Sequence, residues 1–476
     1  MQGTDRENRA EQTRNHWLGT LERHRKDAGG PGSGDYWSPA LDCASRDELR
    51  AIQNDKIAAV TPFLYENSAF YRRRFDRLGL APSDIASVDD LARWPIVDKA
   101  EMMADAAAHP PYGTYSTMDD ALWATRGWMM FSSSGTTGVP RVFRYSQKDR
   151  ELWSWANARA MHSMGIPPSD CMFICSGYGP HVFAWGVQYA LGLMNVAMIP
   201  GGGMDSHMRA NIIERFGPSV ITCTPSYALH LGRVMQETGK DPAASAVRLL
   251  FIGGEPASGI ENTRKRLEAL WGARVVEFYG CTEAAPHAGG YSCPASGAGG
   301  GPFTTHLMED IQVWELVDPD SHEAVPEGER GLTVCTNLHS ESSPQLRFMV
   351  GDYTVFDTAP CACGRSHVRA VGAFSGRADD LINLRGIKMY PVQIEEAVRA
   401  VNGVGDEYEV VIATNADGLD VMTLRVEHDD EATGGTVADE VRSRCEVRVD
   451  VEVLPPGTLP KTEFKAKRVR DERKGE

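Results

Sequence analysis

The sequence predicts an α/β fold, in which a large N-terminal domain with helix-covered, mostly parallel sheets is followed by a small α+β C-terminal domain. Between residues 146 and 274, short apolar runs alternate with helical stretches, which is typical of a parallel sheet covered by helices. Beyond residue 379, strands of alternating polarity are flanked by helical stretches instead. A chain of 476 residues is also long enough to form more than one domain around a large core.

The composition is that of an ordinary globular protein, with 42% apolar and 24% charged residues. A formal charge of −16 argues against nucleic acid or an anionic membrane as the main partner, because both would repel the chain. Ten cysteines are too sparse for a disulfide scaffold. Residues 1–17 lack the apolar core of a secretory signal, and the apolar run at 187–200 is too short and glycine-broken to span a bilayer. We expect a cytoplasmic protein.

The elements outside the central region follow from local signals. Residues 1–35 are predicted to be a flexible polar tail, because they end in a glycine-rich break at 29–34. Ser45 begins a predicted helix with Glu48 as its capping-box partner. In the C-terminal domain the pattern predicts helices over 393–400 and 436–444 and strands over 408–413 and 420–427.

The central region contains apolar runs that predict buried strands at 171–175, 197–200, 220–223 and 249–252, with helices over 208–215 and 227–237. Glycine-rich turns follow two of the strand-like runs directly, at 253–256 and 278–283. Ligands of parallel sheets collect at the carboxyl ends of the strands. These turns are therefore candidate parts of a binding site.

A stretch of hydroxyls and glycines, FSSSGTTGVPR at residues 131–141, follows the apolar run at 128–131. Such a backbone can turn its N–H groups and hydroxyls toward one anion, usually a phosphate. The P-loop of nucleotide hydrolases is excluded, because it requires a lysine and a hydroxyl residue after its second glycine and Val139 and Pro140 stand there. A glycine–serine linker is the other interpretation of this composition.

The stretch resembles the phosphate loop S-[ST]-G-T-T-G-x-P-[KR] of the adenylate-forming enzymes, and four further family motifs follow in order. They are Y-G-x-T-E at 279–283, R-[FY]-x-x-G-D at 347–352, G-R-x-D-D-x-I-x-x-R-G at 376–386 and, at 459–469, a run similar to P-[KR]-[ST]-x-x-G-K-x-x-R, of which residues 464–468 occupy the last five positions. The segments ENSAFYRRRFDRLG at 66–79 and DLARWPIVDK at 90–99 resemble the phenylacetate–CoA ligase branch of that family. This resemblance covers nearly the whole chain from Tyr36 onward.

The resemblance implies that ATP activates a carboxylic acid to an acyl-adenylate with release of pyrophosphate, and that the acyl group then passes to the thiol of coenzyme A. The loop would hold the departing phosphates, Glu283 and Thr136 would hold Mg²⁺, and Asp352 would accept both ribose hydroxyls. The residues assigned to the nucleotide are Ser133, Ser134, Gly135, Thr136, Thr137, Gly138, Gly254, Glu255, Pro256, Phe278, Tyr279, Gly280, Thr282, Asp352 and Arg377.

The last motif identifies Lys465 as the catalytic lysine by register, although Phe464 stands where the family has glycine. The motif at 376–386 corresponds to the family's hinge, with Asp379 as the pivot. The predicted domains are therefore residues 36–378, which bind ATP and the acyl group, and a small mobile domain, residues 379–476, that carries Lys465. With Glu283, Lys465 forms the predicted catalytic pair.

The acyl pocket is assigned to the segment after the first central strand and to the residues behind Glu283. The assigned residues are Tyr178, Gly179, His181, Phe183, Ala285 and Pro286. Aromatic rings beside small residues suit a flat aromatic acid, such as a substituted benzoate or phenylacetate, with His181 as a partner for a ring substituent. For Trp185, a place in the pocket and a place in the core are equally compatible with the sequence.

Four residues form a candidate structural zinc site: Cys293, His306, Cys361 and Cys363. Cysteine, histidine and a later Cys-x-Cys-Gly occur in this order in the phenylacetate–CoA ligase branch. A set of three cysteines and one histidine leaves no open position on the metal, so the site would be structural. The alternative is four independent side chains.

Two other functions are compatible with these motifs. The same adenylation can serve a carrier-protein thiol, or an amine or hydroxyl of a second small molecule, in place of coenzyme A. From another class, the chain can be an inactive, zinc-stabilised regulatory module that binds ATP. A homodimer is the default expectation for the assembly.

Overall fold

The structure is a computed structural model, and it describes residues 2–25, 34–133, 141–255, 259–372, 374, 376–385, 387–415, 419–462, 466 and 468–474. The chain forms two compact units. The first unit comprises Met1–Asp170, Gly177–Met198 and Phe278–Val371, and the second comprises Cys171–Ser176, Ile199–Glu277 and Gly372–Glu476. Among the described residues, no helix combines the length and the apolarity that crossing a bilayer requires.

The helices are α1 Gln2–Arg23, α2 Pro39–Asp42, α3 Arg46–Asn67, α4 Ala69–Leu78, α5 Lys99–Ala108, α6 Asp120–Arg126, α7 Gln147–Ser163, α8 Val182–Met194, α9 Ser206–Phe216, α10 Pro225–Glu237, α11 Glu261–Trp271, α12 Pro391–Ala400 and α13 Thr433–Cys445. The strands are β1 Gly127–Ser133, β2 Arg141–Ser146, β3 Cys171–Ile174, β4 Ala197–Pro200, β5 Val220–Cys223, β6 Leu249–Gly253, β7 Arg274–Cys281, β8 Ala285–Tyr291, β9 Thr304–Leu307, β10 Gln312–Val317, β11 Arg330–Asn337, β12 Gln345–Asp357, β13 Arg369–Val371, β14 Ile382–Leu384, β15 Ile387–Met389, β16 Tyr408–Thr414, β17 Asp420–Glu427, β18 Asp450–Leu454 and β19 Val469–Asp471.

The N-terminal segment differs from the predicted flexible tail, because most of it forms helix α1. Trp17 and Leu21 on this helix are buried, and the buried Arg14 forms an ion pair with Glu341 at 3.1 Å. Positions 14, 17 and 21 share one helix face, and the polar composition of the segment conceals this short pattern. The segment is therefore part of the first unit.

Helix α3 begins as predicted. The backbone N–H of Ser45 donates to the Glu48 carboxylate at 2.8 Å, and the Ser45 hydroxyl accepts from the Glu48 N–H at 3.3 Å. These two reciprocal bonds form a capping box.

The first unit contains the hairpin β1–β2 and an antiparallel run of strands in the order β10-β11-β12-β13-β9-β8-β7. This antiparallel part extends the predicted fold, which specified mostly parallel sheets. Most residues of β11 and β12 are buried on both faces. Such strands lack the alternation of polar and apolar residues by which an antiparallel strand is usually predicted.

The second unit contains the parallel strands predicted from the central apolar runs. Strand β5 pairs in parallel with both β3 and β6, and α10 packs against α9, α11 and β6. A buried apolar cluster that includes Ile221, Leu250 and Trp271 fills this region. The α/β prediction is confirmed here.

The C-terminal part of the second unit has a sheet in the order β18-β17-β16-β19, with α12 and α13 packed against each other. Its own apolar cluster includes Ile394, Leu424 and Val441. The predicted elements are confirmed, although α13 begins three residues earlier than predicted, at Thr433. The proposed domain boundary at residue 379 stays a prediction.

Candidate active site

The base of the glycine-rich loop is fixed by the hairpin. Ser133, the last residue of β1, pairs with Arg141, the first residue of β2. The hydroxyl of Ser133 is buried and has no hydrogen-bond partner in the described part of the chain. Between these residues, the predicted phosphate contacts Ser134, Gly135, Thr136, Thr137 and Gly138 lie outside the described residues.

Arg141 connects this loop to the Y-G-x-T-E motif, whose first three residues end strand β7 and whose last two lie in the turn after it, although the sequence predicted a turn throughout. Its Nη2 lies 2.5 Å from Oε1 of Glu283, and its Nε lies 3.2 Å from the same oxygen. Both side chains are 8% exposed. The turn is also held by the hydroxyl of Tyr145, which donates to the carbonyl of Thr282 at 2.9 Å. Two motifs that lie far apart in the sequence therefore meet.

The Y-G-x-T-E motif also contacts a third motif, R-[FY]-x-x-G-D. The hydroxyl of Tyr279 donates to Oδ2 of Asp352 at 2.6 Å, and both side chains are buried. The backbone of Asp352 is fixed by Thr333, whose Oγ1 accepts from the Asp352 N–H at 3.2 Å and donates to the Asp352 carbonyl at 3.0 Å. The ring of Trp314 lies 5.9 Å from that of Tyr279. We call Arg141, Tyr279, Glu283 and Asp352 the carboxylate site.

The carboxylate site suits a magnesium–nucleotide complex chemically. Both bonds from Arg141 end on Oε1 of Glu283, and a carboxylate has a second oxygen that can serve a hard cation. The arginine is a fixed cation beside the phosphate loop. The Ser133 hydroxyl is buried and has no hydrogen-bond partner in the described part of the chain, so it can donate a hydrogen bond to a phosphate oxygen.

Among the remaining nucleotide residues, Phe278 and Gly280 lie on β7 in the first unit. Gly254, Glu255 and Arg377 lie in the second unit. Gly254 has a φ of +86°, a conformation that favours glycine.

The remaining predicted residues are one residue of the 253–256 turn, the catalytic lysine and the hinge residue. Pro256 and Lys465 are outside the described residues, as is the departure from the family motif at Phe464. Asp379 lies in a short 3₁₀ helix, Ala378–Asp380. Its role as the hinge stays a prediction.

Glu255 has partners that the sequence did not predict. Its Oε2 accepts from the backbone N–H of Ser226 at 3.2 Å, and its Oε1 accepts from that of Ala466 at 2.7 Å. Burial raises the pKa of this carboxyl, against the opposing effect of these hydrogen bonds.

The predicted acyl-pocket residues lie in the first unit. The rings of Tyr178 and Trp185 pack edge to face with centroids 5.0 Å apart, and Phe183 lies 6.0 Å from Phe278. Trp185 Nε1 donates to the Gly179 carbonyl at 3.1 Å, so this tryptophan holds the turn that presents Tyr178.

The pocket residues also include one polar group in an apolar setting. The hydroxyl of Tyr178 is buried without a hydrogen-bond partner among the described residues, and burial raises its pKa. His181 is the N-cap residue of α8, and Ala285 and Pro286 are buried at the start of β8.

Cys293, His306, Cys361 and Cys363 form one cluster, which we call the cysteine–histidine cluster. Their ligand atoms all lie within 4.8 Å of one another. The sulfurs of Cys293 and Cys361 are 3.8 Å apart, and Cys363 Sγ is 3.3 Å from His306 Nε2. Two sulfurs on a tetrahedral zinc are separated by about 3.8 Å, given Zn–S bonds of about 2.3 Å.

The surroundings of the cluster orient its ligands. Nδ1 of His306 donates to the carbonyl of His367 at 3.0 Å, so Nε2 faces the sulfurs. A hydrogen bond from Cys293, and a further one from His306 against the opposing effect of burial, hold the pKa of the Cys363 thiol well below its usual range. The first of these bonds favours the thiolate form of Cys363, which ligates metals, whereas the same bond and burial raise the pKa of the Cys293 thiol.

The model of the AMP-binding enzyme family matches residues 84–336, and that of the AMP-binding enzyme C-terminal domain matches residues 386–473. The phenylacetate-coenzyme A ligase of Thermus thermophilus is 30% identical in an alignment of length 461 that covers 92% of this chain and 100% of that protein. The chain belongs to the AMP-binding enzyme family. Within it, the relatives place the chain in the phenylacetate–CoA ligase branch, as the motifs predicted.

Further AMP-binding enzymes support this assignment. The phenylacetate-coenzyme A ligase of Escherichia coli (strain K12) is 28% identical over 443 residues, 90% of this chain and 96% of that protein. A crystal structure of 2-hydroxyisobutyryl-CoA ligase in the postadenylation state with 2-HIB-AMP is 28% identical over 94% of this chain and 95% of that one, with a TM-score of 0.86. The same enzyme with CoA in the thioesterification state gives a TM-score of 0.71 over 94% of both chains.

The contacts between the motifs of this AMP-binding enzyme were not predicted from the sequence. Arg141 closes the phosphate-loop motif, and its charge opposite to that of Glu283 was the available signal for their ion pair. The bond between Tyr279 and Asp352 had no such signal, since the two side chains carry no opposite charges and lie on strands far apart in the sequence.

Proposed function

We propose that this chain activates an aromatic carboxylic acid, of the substituted benzoate or phenylacetate type, with ATP and Mg²⁺ and transfers the acyl group to coenzyme A. The coarser activity, AMP-forming ligation of an acid to coenzyme A, follows from the family branch. One observation carries the proposal: the ion pair of Arg141 with Glu283 and the hydrogen bond of Tyr279 to Asp352 connect three separate motifs.

In the first half-reaction a carboxylate must approach the α-phosphate of ATP, so two anions meet. Catalysis of such a step is mainly positioning and neutralisation of charge. We propose that Arg141 and Lys465 supply positive charge, that Glu283 uses its second oxygen for Mg²⁺, and that Asp352 accepts the ribose hydroxyls. When bound, Mg²⁺ supplies further charge neutralisation at the phosphates. The Ser133 hydroxyl donates to a phosphate oxygen of the leaving group.

In the second half-reaction the C-terminal domain, residues 379–476, turns about Asp379 and removes Lys465. Crystal structures of 2-hydroxyisobutyryl-CoA ligase in a postadenylation and a thioesterification state support this proposal. The thiol of coenzyme A then attacks the acyl carbonyl, and AMP leaves.

The aromatic character of the acid is supported by the rings of Tyr178 and Phe183 in the predicted pocket segment, the second of which lies 6.0 Å from the ring of Phe278. The similarity to 2-hydroxyisobutyryl-CoA ligase favours a second candidate, a small 2-hydroxy acid, since that enzyme's chain aligns over most of this one. Both candidates share the adenylation chemistry and differ only in the acyl pocket.

We also propose that the cysteine–histidine cluster holds one structural zinc ion. The separations of 3.8 Å and 3.3 Å between its ligand atoms and the orientation of His306 support it. Three thiolates and one imidazole leave no open position, so the ion would fix the glycine-rich segment after Cys293 and take no part in the reaction.

The test is acid-dependent exchange of labelled pyrophosphate into ATP, with phenylacetate, benzoate, 4-hydroxybenzoate and 2-hydroxyisobutyrate as the acids. We expect the fastest exchange with an aromatic acid, followed by thioester formation when coenzyme A is added. Exchange with 2-hydroxyisobutyrate alone would select the second candidate. Exchange without thioester formation would indicate a carrier-protein, amine or hydroxyl acceptor, and nucleotide binding without exchange would indicate an inactive module.

A further inference from the structure

Glu255 follows β6 in the second unit, and its carboxylate joins two distant parts of the chain. One oxygen accepts from the N–H of Ser226, the second residue of α10, where the N-terminal N–H groups and the helix dipole favour an anion. The other oxygen accepts from the N–H of Ala466 at 2.7 Å, a short distance typical of a hydrogen bond to a charged acceptor.

Ala466 directly follows Lys465 in the sequence, and the segment on either side is held by other contacts. Glu407 accepts from the N–H and the hydroxyl of Thr462, both at 2.9 Å, and lies 3.3 Å from Arg468. These contacts tie the segment to the C-terminal part of the second unit. The bond at Ala466 ties it instead to residues 199–277, which lie before the proposed hinge.

Other contacts reinforce this docking. Asp406 lies 2.6 Å from Nη2 of Arg233 on α10 and 2.9 Å from Nη2 of Arg266 on α11. Lys461 pairs with Glu237 of α10 at 3.1 Å, although both of these side chains are about half exposed. Of these contacts, the bond of Glu255 to Ala466 is the one adjacent in the sequence to Lys465, so it most directly restrains the backbone beside that lysine.

We propose that Glu255 is a positioning residue for the adenylation half-reaction, which docks the backbone at Ala466 and thereby sets the reach of Lys465. This inference rests on the proposed function. It differs from the sequence-based assignment of Glu255 to the nucleotide, because both carboxylate oxygens accept hydrogen bonds from the protein backbone.

The contact is specific for one half-reaction. A bond between residues 255 and 466 exists only while the C-terminal segment is docked on residues 199–277, and turning about Asp379 breaks it. An interaction present in one of two conformations raises the population of that conformation only. Glu255 therefore assists adenylation and not the attack of the thiol.

The experiment compares wild type, Glu255→Ala, Glu255→Gln and Lys465→Ala in pyrophosphate exchange, with the most active acid among the four named above. Glu261→Gln is the control, since Glu261 is exposed on α11 and pairs only with Lys265 among the described residues. We expect Glu255→Ala to lower the maximal exchange rate about 10- to 100-fold, the loss typical of a hydrogen bond to a charged group, with little change in the KM for ATP. Glu255→Gln, which keeps one acceptor oxygen, should recover part of the rate.

Two further measurements separate positioning from other roles. Glu255→Ala should lower thioester formation from supplied acyl-adenylate and coenzyme A far less than it lowers exchange, whereas a folding defect would lower both equally. In the Lys465→Ala background, Glu255→Ala should cost little more, because residues that act through one another are not additive.

Unchanged exchange in Glu255→Ala, an equal loss in both half-reactions, a raised KM for ATP alone, or full additivity with Lys465→Ala would overturn the role of Glu255. If the wild type exchanged no pyrophosphate with any of the four acids, the proposed function and this role would fall together. Pyrophosphate exchange by the wild type therefore shows whether the proposed function fails as well, or only the role of Glu255.

Discussion

The cysteine–histidine cluster and the carboxylate site both lie in the first unit, but they meet their chemical requirements differently. The cluster brings four metal-ligating atoms within 4.8 Å of one another, and these four atoms supply all the ligands that a tetrahedral zinc ion requires. In the carboxylate site, Glu283 and Asp352 each pair with a neighbouring side chain, Arg141 or Tyr279. We propose that the cysteine–histidine cluster holds a permanent metal ion and that the carboxylate site holds a nucleotide, which must bind and leave.

This difference predicts that variants of the two sites have opposite effects. Changes in the cysteine–histidine cluster should lower stability and metal content. Changes in the carboxylate site should mainly alter kinetics.

The largest expected effect on stability is that of losing the proposed zinc ion. Cys363→Ser should reduce bound zinc from about one ion per chain to none and lower the free energy of unfolding by several kcal/mol, because binding of a structural zinc is coupled to folding. Metal analysis after gel filtration and thermal unfolding measure both quantities. Cys445→Ser is the matched control, a buried cysteine outside the cluster, which should keep its zinc. Equal stability of wild type and Cys363→Ser would remove the zinc proposal.

Glu283→Gln should lower the pyrophosphate exchange rate on the order of 10²-fold, since the amide keeps the shape of the side chain but loses the negative charge that would hold Mg²⁺ beside the phosphates. Its zinc content should equal that of the wild type. An exchange rate within about twofold of wild type would show that Glu283 is not the magnesium ligand.

Asp352→Asn should raise the KM for ATP about tenfold with a smaller change in kcat. The amide retains an acceptor oxygen for Tyr279 but no longer accepts two ribose hydroxyls, and a hydrogen bond to a charged group is worth about 1.5–3 kcal/mol. Tyr279→Phe keeps the carboxylate and is the control for the hydrogen bond alone. The measurement is steady-state kinetics with varied ATP. An unchanged KM for ATP in Asp352→Asn would exclude a contact of Asp352 with the ribose.

The smallest effect is expected in the acyl pocket. Tyr178→Phe should lower the rate with 4-hydroxybenzoate relative to benzoate by up to about tenfold, because the variant lacks the buried hydroxyl that would pair with the ring substituent. The ratio of kcat/KM for the two acids is the measurement. An unchanged ratio would mean that the hydroxyl does not contact the ring substituent.

Much of the fold was predictable because its signals are local. The capping box at Ser45, the parallel strands β3, β5 and β6, and the C-terminal helices and strands follow from short patterns. Helix α1 was missed because few of its residues are apolar, and the antiparallel strands β11 and β12 because they are buried on both faces.

The motifs predicted which residues belong to the site, but they did not predict which of these residues contact one another. The four members of the cysteine–histidine cluster were predicted from their residue type, since few residues ligate zinc, and from their order, which resembles that of the phenylacetate–CoA ligase branch. The pairing of Arg141 with Glu283, and the docking of Ala466 on Glu255, depend on long-range chain placement that no local pattern contains.

The most direct test of the central claim, that the carboxylate site surrounds a nucleotide, is a crystal structure with Mg²⁺ and an acyl-adenylate analogue. We predict both ribose hydroxyls within about 3.2 Å of Asp352, the phosphate beside the 133–141 loop, and Glu283 facing that phosphate. A nucleotide bound away from Asp352 and Glu283 would contradict the account.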